Sequence, residues 1–294
     1  MNKFTIKDLE NLSGIKAHTI RIWEQRYSFL KPQRTATNIR YYSNTELKML
    51  LNISLLNKYG YKISHINRMS NEELREKTLT LTGPQAQQER IINELIQHMV
   101  DMELESFEKV LDQHIAARGI EKTITYIIFP FMERIGILWM TDHINPAQEH
   151  LMTNIIRQKL IVGIDGIVTP LSLKTKMLLF LPENEHHEVG LLFLQFLLKS
   201  RGVKVIYLGA NVPLKDMEYV VELKKPDYIY THLTTVMKEF NFDKFLNNLK
   251  NRFPQQQVLI SGLLAQTFEK KAVPSNIRFL KSLAEVNELL GTLS

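Results

Sequence analysis

The fold of the C-terminal part of the chain is decided by residues 177–190, which read MLLFLPENEHHEVG. Five consecutive apolar residues that end at Pro182 are typical of a short strand buried on both faces. The polar residues that follow include two histidines and three glutamates. Since ligands bind at the carboxyl ends of parallel strands, this stretch predicts both a buried sheet and a site at its edge.

Short apolar runs and helical patterns continue to alternate towards the end of the chain. Four more runs of strand length occupy residues 203–208, 228–233, 258–261 and 277–280. Helical patterns of about 10 to 15 residues separate the runs, and this alternation is the signature of βαβ units. We therefore predict an α/β domain over residues 175–294, a doubly wound parallel sheet of the flavodoxin-like kind.

The polar residues after Pro182 have two interpretations when they are taken by themselves. Histidines among carboxylates are good zinc ligands, so residues 183–188 could form a metal site. The same composition also suits an ordinary exposed loop, and this composition alone does not decide between the two.

The spacing Glu185-x-His187-x-x-Gly190 resembles the Asp/Glu-x-His-x-x-Gly signature of cobalamin-binding domains. The resemblance implies that His187 is the lower axial ligand of cobalt and that Glu185 orients its imidazole. This assignment suits the chemistry, since cobalt takes an imidazole nitrogen well and a carboxylate on the other nitrogen fixes the tautomer. Gly190 would border the nucleotide tail of the cofactor, and the neighbouring His186 would have no metal role.

Two further elements lie at the ends of later strands. Thr231-x-Leu233 looks like the Ser/Thr-x-Leu element of cobalamin-binding domains, and Ser261-Gly262 stands where such domains usually have Gly-Gly. The resemblance implies a Thr231 hydroxyl behind Glu185 and a nucleotide tail that runs along Leu233 and Gly262. Ser261 departs from the pattern, because it places a side chain where the tail is expected to approach the backbone.

The middle of the chain reads as a four-helix bundle over residues 84–170. Helical patterns occupy residues 85–100, 103–117, 120–140 and 146–168, with short breaks between them. The third pattern is the clearest, because its isoleucines and aromatic residues recur at steps of three and four. Four helices with short connections predict a bundle.

Trp139, Glu149 and His150 stand near the third break. Taken alone, a Trp that ends an apolar stripe is a core residue, and a Glu-His pair in a first helical turn complements the helix dipole. Their spacing resembles the bundle motif of the CarH and LitR group of cobalamin-dependent MerR-type photoreceptor regulators. It implies that the bundle caps the corrin, with Trp139 on an adenosyl group, Glu149 on its ribose and His150 at the corrin edge.

One position departs from that group. Better-known members have a His directly after the Trp, which becomes an upper cobalt ligand after light breaks the cobalt–carbon bond, whereas this chain has Met140. A thioether is a soft and weak ligand for oxidised cobalt. His143 lies about one helical turn further on and is the alternative ligand in this segment.

The N-terminal part carries the excess positive charge. Residues 1–78 hold 14 basic and 7 acidic side chains, a net charge of +7, whereas the remaining 216 residues hold 23 and 24. Two short helical patterns meet at Ser13-Gly14, and residues 31–42 suit a hairpin. A helix pair alone is also compatible with a solvated basic surface, but the hairpin favours a winged helix-turn-helix over residues 1–78.

Residues 19–27 (TIRIWEQRY), Pro32-x-Arg34-Thr35 and Arg40-x-Tyr42 resemble the winged-helix domain of MerR-type transcription regulators. The resemblance implies a dimeric reader of two-fold operators whose second helix enters the major groove of double-stranded DNA. The contact residues predicted on that helix are His18, Thr19, Arg21, Gln25 and Arg26. Those predicted on the wing are Arg34, Arg40, Tyr41 and Tyr42.

Composition excludes several other functions. The absence of Cys excludes disulfides, thiol catalysis and Cys-ligated metals. The longest apolar stretch, residues 189–198, is about half as long as a membrane span requires. No catalytic pair stands out, so an enzyme is not expected, and we predict a cytoplasmic protein.

Together these features predict a transcription regulator whose oligomerisation, as dimer or tetramer, and operator binding are controlled by cobalamin, most simply adenosylcobalamin with light. Two alternatives remain at this point. One is a MerR-type regulator that does not use cobalamin and responds to a protein partner. The other is a corrinoid carrier for methyl transfer, which would have no use for residues 3–72.

Overall fold

The computed structural model describes residues 2–27, 29–139, 144–169, 172–234, 240–268 and 273–293. The chain forms two compact units, Met1–Ile155 and Ile156–Ser294. The predicted winged helix and most of the predicted bundle share the first unit, and the predicted sheet lies in the second. None of the helices in the described ranges is long and apolar enough to cross a membrane.

The first unit begins with the predicted helix-turn-helix. Helix α1 (Ile6–Ser13) starts at a capping box, in which the Thr5 hydroxyl accepts from the Asp8 amide and the Asp8 carboxylate accepts from the Thr5 amide. Gly14 ends the helix with a φ of 73°, a left-handed conformation that favours glycine. Helix α2 (Ala17–Arg26) follows directly and is the predicted recognition helix.

The wing and the helices behind it also have the predicted form. Strands β1 (Gln33–Arg34) and β2 (Arg40–Tyr41) pair antiparallel. Helix α3 (Asn44–Lys58) starts at a second capping box, which Ser43 and Glu46 form. Two shorter helices complete this part of the chain, α4 (Ile63–Ile66) and α5 (Asn71–Leu79).

All four helical patterns of the middle segment are confirmed. The helices are α6 (Pro84–Asp101), α7 (Leu104–Arg118), the composite α8 (Ile120–Thr123), π segment (Ile124–Ile128) and α9 (Phe129–Trp139), and α10 (Pro146–Asp165). Helix α6 begins where the predicted bundle begins, since Gly83 is the N-cap and Pro84 the first residue of the helix.

The π segment has a cause in the sequence. Pro130 has no amide hydrogen, so it cannot donate to the carbonyl of Tyr126 as a residue in a regular α-helix would. The helix widens by one residue instead, and the Phe129 amide donates to the Ile124 carbonyl. The Gln88 side chain of α6 donates to the Tyr126 carbonyl at 2.7 Å and satisfies it.

The second unit contains a five-stranded parallel sheet in the order β4-β3-β5-β6-β7. The strands are β3 (Lys176–Pro182), β4 (Lys204–Val212), β5 (Tyr228–Leu233), β6 (Gln257–Gly262) and β7 (Ile277–Leu280). This order is that of a flavodoxin-like sheet, and it confirms the predicted α/β fold.

Helices connect the strands of this sheet. They are α11 (Val189–Ser200), α12 (Leu214–Lys224), α13 (Phe242–Arg252), α14 (Leu263–Thr267) and α15 (Leu283–Thr292). Apolar side chains of β3, β5 and β6 pack with those of α12 and α13 in one core. Because the sheet is parallel, the loops after β3, β5 and β6 meet at one edge, where the predicted cofactor residues stand.

Candidate functional site

The loop after β3 is built around a buried carboxylate. Glu185 has no exposed surface, and its Oε1 accepts from the backbone amides of His186 and His187, both at 3.0 Å. Its other oxygen, Oε2, accepts from the Thr234 amide at 3.3 Å. Asn211 at the end of β4 holds the loop from the opposite side, since its side chain accepts from the Asn184 amide at 2.9 Å. The carboxylate is therefore fixed by backbone donors on both oxygens.

His187 is oriented by this carboxylate. Its Nδ1 lies 2.6 Å from Glu185 Oε1, and 36% of its side chain is exposed. A carboxylate accepts, so Nδ1 carries the hydrogen and Nε2 carries the lone pair that a metal ion would take. His186 is exposed and only its backbone amide contacts Glu185. The loop thus distinguishes the two adjacent histidines.

The Thr231 hydroxyl, predicted to stand behind Glu185, does not form a hydrogen bond with that carboxylate. Thr231 Oγ1 is buried and has no hydrogen-bond partner in the part of the chain that the structure describes. The Thr234 amide contacts Glu185 instead. A buried hydroxyl without a partner costs free energy, so Thr231 provides a polar group that a ligand could satisfy.

Ser261, which stands where cobalamin-binding domains usually have Gly, forms hydrogen bonds with two neighbours. The sequence did not indicate either of them. The Tyr230 hydroxyl donates to Ser261 Oγ at 2.7 Å, and His232 Nδ1 lies 2.7 Å from the same oxygen. Burial raises the pKa of Tyr230 to about 12 and lowers the pKa of His232 to about 4. His232 is therefore neutral near pH 7 and can accept the hydrogen of the Ser261 hydroxyl.

Both glycines of the predicted tail groove are packed against other groups. A Cβ at Gly190 would lie 2.6 Å from the His232 ring, and a Cβ at Gly262 would lie 2.3 Å from the Leu233 carbonyl oxygen. Gly262 also has a φ of 93°. Only glycine suits these places, and at Gly190 the neighbouring space is taken by His232.

These residues fit one axial imidazole for a corrinoid. His187 has the right orientation and exposure, Glu185 fixes its tautomer, and Thr231 offers an unsatisfied hydroxyl. Among the described residues no three His or carboxylate side chains converge on a point that could hold a bare metal ion. The donor set therefore suits a metal that brings most of its ligands with it. A nucleotide tail along Gly190 would have to displace the His232 ring.

A second charged group follows His187 directly. Glu188 is the N-cap of α11, forms an ion pair with Arg157 of α10 and accepts from the Tyr207 hydroxyl at 3.0 Å. Burial beside this carboxylate raises the pKa of Tyr207 far above its ordinary value. The three residues tie α10 at Arg157 to the loop, and no motif in the sequence indicated them.

The residues predicted to face the upper side of the corrin lie in the first unit. The backbone of Trp139 ends α9, but its side chain lies outside what the structure describes, as do Met140 and His143. Glu149 is 8% exposed and accepts from Thr153 Oγ1 at 2.7 Å. The exposed His150 lies 3.1 Å from the other oxygen of Glu149.

The structure keeps most of the predicted DNA contacts on the surface. Helix α2 exposes His18, Arg21, Gln25 and Arg26, with Thr19 partly exposed. The wing exposes Arg34 and Arg40, with Tyr41 partly exposed.

Two wing arginines have partners within the wing and helix. Arg34 Nη1 donates to the Asn38 side chain at 2.8 Å, and Arg40 lies 3.4 Å from Glu24. These contacts hold both guanidinium groups in place at the surface. They also leave further N–H groups of each guanidinium for a phosphate.

The structure corrects the role predicted for Tyr42. It was predicted to contact phosphate, but its side chain is completely buried and its hydroxyl donates to Glu24. Its backbone forms an isolated bridge with Phe4, which places the ring in the core of the winged helix. Tyr42 therefore supports the wing from within.

Two family models match separate segments of the chain, both before the loop that contains Glu185 and His187. Residues 4–73 match the family model described as MerR HTH family regulatory protein, and residues 91–162 match the model described as B12 binding domain. The chain combines a MerR-type helix-turn-helix domain with a B12-binding domain. The first match supports the predicted DNA-binding part of a transcription regulator and the second the predicted use of B12.

Two curated relatives match the chain over nearly its full length. The HTH-type transcriptional repressor CarH of Myxococcus xanthus is 24% identical over 296 residues, which cover 98% of each chain. The HTH-type transcriptional repressor CarA of the same organism is 26% identical over 284 residues, which cover 96% of this chain and 94% of the relative.

A solved structure supports the fold. The monomethylamine corrinoid protein of Methanosarcina barkeri superimposes with a TM-score of 0.53 at 12% identity, covering 69% of this chain and 99% of that protein. At this identity the likeness concerns the fold alone.

Proposed function

We propose that this protein represses transcription by binding a double-stranded DNA operator in the cytoplasm. Bound cobalamin controls its oligomeric state and, through that state, its affinity for the operator. The Glu185–His187 pair carries the proposal, since a carboxylate fixed by backbone amides presents one oriented imidazole. The repressor names of the two relatives support the direction of regulation.

Several side chains would hold the cofactor. His187 would be the lower ligand of cobalt, Glu185 would keep Nε2 available, and the Thr231 hydroxyl would gain a partner. Trp139 and Glu149 would contact an adenosyl group. Adenosylcobalamin supplies a cobalt–carbon bond that light breaks, which suits a light-dependent regulator.

The control of DNA binding follows from linkage. A cofactor that binds one assembly of the chain more tightly than another shifts the population towards that assembly. A dimer or tetramer with two linked recognition helices holds two half-sites, and this linkage raises the overall affinity without any new contact. Loss of the cofactor contacts would lower the population of that assembly and hence the affinity for the operator.

Replacing one of two adjacent histidines tests the proposal. We expect His187→Ala in the full chain to lower the affinity for hydroxocobalamin by at least about tenfold, because a direct ligand contributes no less than an outer-shell partner. The absorbance of an imidazole-bound corrin should also disappear. His186→Ala is the matched control and should retain both, since its side chain does not contact Glu185.

The result also distinguishes a second candidate function. His232 covers Gly190, which favours a MerR-type regulator that works without a corrinoid. If the unmodified chain binds operator DNA but gives no corrin absorbance with either hydroxocobalamin or adenosylcobalamin, this second function replaces the first. Corrin binding that is equal in the wild type and in His187→Ala would instead overturn the axial assignment alone.

A further inference from the structure

Arg134 connects the two segments of the first unit that match family models, residues 4–73 and 91–162. It lies on α9, inside the segment that matches the B12-binding model, and its Nη2 donates to the carbonyl of Leu12 in the MerR-type segment. Its Nη1 donates to Asn93 Oδ1 at 2.8 Å. One guanidinium therefore bonds the segment that matches the B12-binding model to the end of α1, the helix before the predicted recognition helix.

The position of Leu12 makes this bond informative. Its carbonyl belongs to the last turn of α1, where carbonyl groups have no partner within the helix and the helix dipole favours a cation. The turn at Gly14 follows immediately and leads into α2. Helix α1 packs directly against α9. A shift of α9 would therefore move the turn at which the recognition helix α2 begins.

Asn93 extends the connection to α3, a second helix of the segment that matches the MerR-type model. It is 4% exposed, and its Nδ2 donates to the Leu51 carbonyl of α3 at 3.3 Å while its Oδ1 accepts from Arg134. The amide is thus held between the guanidinium and the backbone of α3. Arg134 contacts α1 directly and α3 through one intermediary.

The chemistry of Arg134 suits a role in position more than in stability. Burial lowers the pKa of Arg134, against a smaller opposing effect of the Glu89 carboxylate, and both of its described hydrogen bonds go to neutral oxygens. A partly buried guanidinium that donates to neutral oxygens recovers less of its desolvation cost than one in a close ion pair, so its net contribution to stability is small. Its directed N–H groups nevertheless fix the relative position of the groups that accept them.

Helix α9 also starts at a place where helices bend. The π segment lies immediately before it and Pro130 is the second residue of α9, and sharp changes of helix direction occur at such features. The C-terminal end of α9 carries Trp139, the predicted contact of the adenosyl group.

We propose that Arg134 is a positioning residue that transmits the state of the B12-binding segment to the recognition helix through the Leu12 carbonyl. The cofactor-dependent part of this inference rests on the function proposed above. The cofactor-independent part, the hold on α1 and α2, rests on the contacts alone.

Hydrogen exchange on the full chain tests both parts. Without cofactor, Arg134→Met should speed exchange of the α1 and α2 amides by about fivefold or more, the lower end of typical coupling between sites, while exchange in α7 stays unchanged. With adenosylcobalamin in the dark, exchange in α1 and α2 should change by a similar factor in the wild type and remain constant in Arg134→Met. Arg134→Lys keeps the charge but loses the paired N–H geometry, so it should resemble Arg134→Met.

Arg90→Met is the matched control, because Arg90 forms its ion pair with Glu94 on its own helix. It should behave as the wild type. Corrin absorbance in the same samples separates the two proposals. If it is absent, the proposed cofactor function is wrong, whereas the comparison without cofactor still tests the role of Arg134. If α1 and α2 exchange equally in the wild type and in Arg134→Met, or if bound cofactor alters them equally in both, Arg134 does not position the recognition helix.

Discussion

The Ser261 hydroxyl bonds two neighbours at once, Tyr230 and His232. Removing it leaves the Tyr230 hydroxyl, which is 2% exposed, without its acceptor. We expect Ser261→Ala to cost about 1–3 kcal/mol, the penalty for a buried polar group that loses its partner. Hydrogen exchange of the β5 and β6 amides should rise accordingly.

Ser200→Ala provides the comparison for this change. The Ser200 hydroxyl bonds only the Leu197 carbonyl at the end of α11, where the surface is partly exposed. Its removal should leave β5 and β6 exchange unaltered. Equal exchange in Ser261→Ala and the wild type would mean that water replaces the hydroxyl and that the site tolerates the glycine usual in cobalamin-binding domains.

Single residues were predictable where their partners are close in sequence. Glu185 and His187 are two residues apart in a short loop, so their pairing follows from the motif. The roles predicted for Thr231 and Tyr42 were not confirmed, because contacts between residues distant in sequence decide them. The three-dimensional packing decides that the Thr234 amide contacts Glu185, and that the Tyr42 ring turns into the core.

At the scale of elements, Pro130 and the π segment form one feature with a testable energy. Proline within a helix costs about 3 kcal/mol, and here the wider turn and the Gln88 side chain offset part of that cost. We expect Pro130→Ala to stabilise the first unit by about 1 kcal/mol, because the new N–H can bond the Tyr126 carbonyl. Urea unfolding followed by tryptophan fluorescence measures this, since Trp23 and Trp139 both lie in the first unit.

Pro146 is the natural control for Pro130. It is the first residue of α10, where the missing N–H would have no partner and the fixed φ suits the helix. Pro146→Ala should therefore bring no gain in stability. If Pro130→Ala destabilises the first unit, the π segment is held by packing and not imposed by the proline.

Helix limits were largely predictable because capping residues mark them. Thr5 with Asp8, and Ser43 with Glu46, each form the expected reciprocal bonds. The π segment was not predictable, since its apolar spacing is also that of an α-helix. Strand order was predictable as a class of fold, but the register that places His232 beside Ser261 required the structure.

At the scale of the whole molecule, positive charge is concentrated in the winged helix. Residues 1–78 have a net charge of +7 and the other residues a net charge of −1. Non-specific DNA affinity depends on released counterions, so its salt dependence counts the phosphates that the protein neutralises. The charge distribution predicts that the side chains that neutralise DNA phosphates belong almost entirely to the first 78 residues.

Arginine replacements in the two units test this distribution. Arg21 is exposed on α2, whereas Arg278 is exposed on β7 of the second unit. We expect Arg21→Ala to reduce the slope of log affinity against log salt by about 1 for a mixed-sequence duplex, the effect of one lost phosphate contact. Arg278→Ala removes the same charge and should leave the slope unchanged. A reduced slope with Arg278→Ala would place DNA on the sheet unit as well, because each neutralised phosphate contributes to the slope wherever its partner lies in the chain.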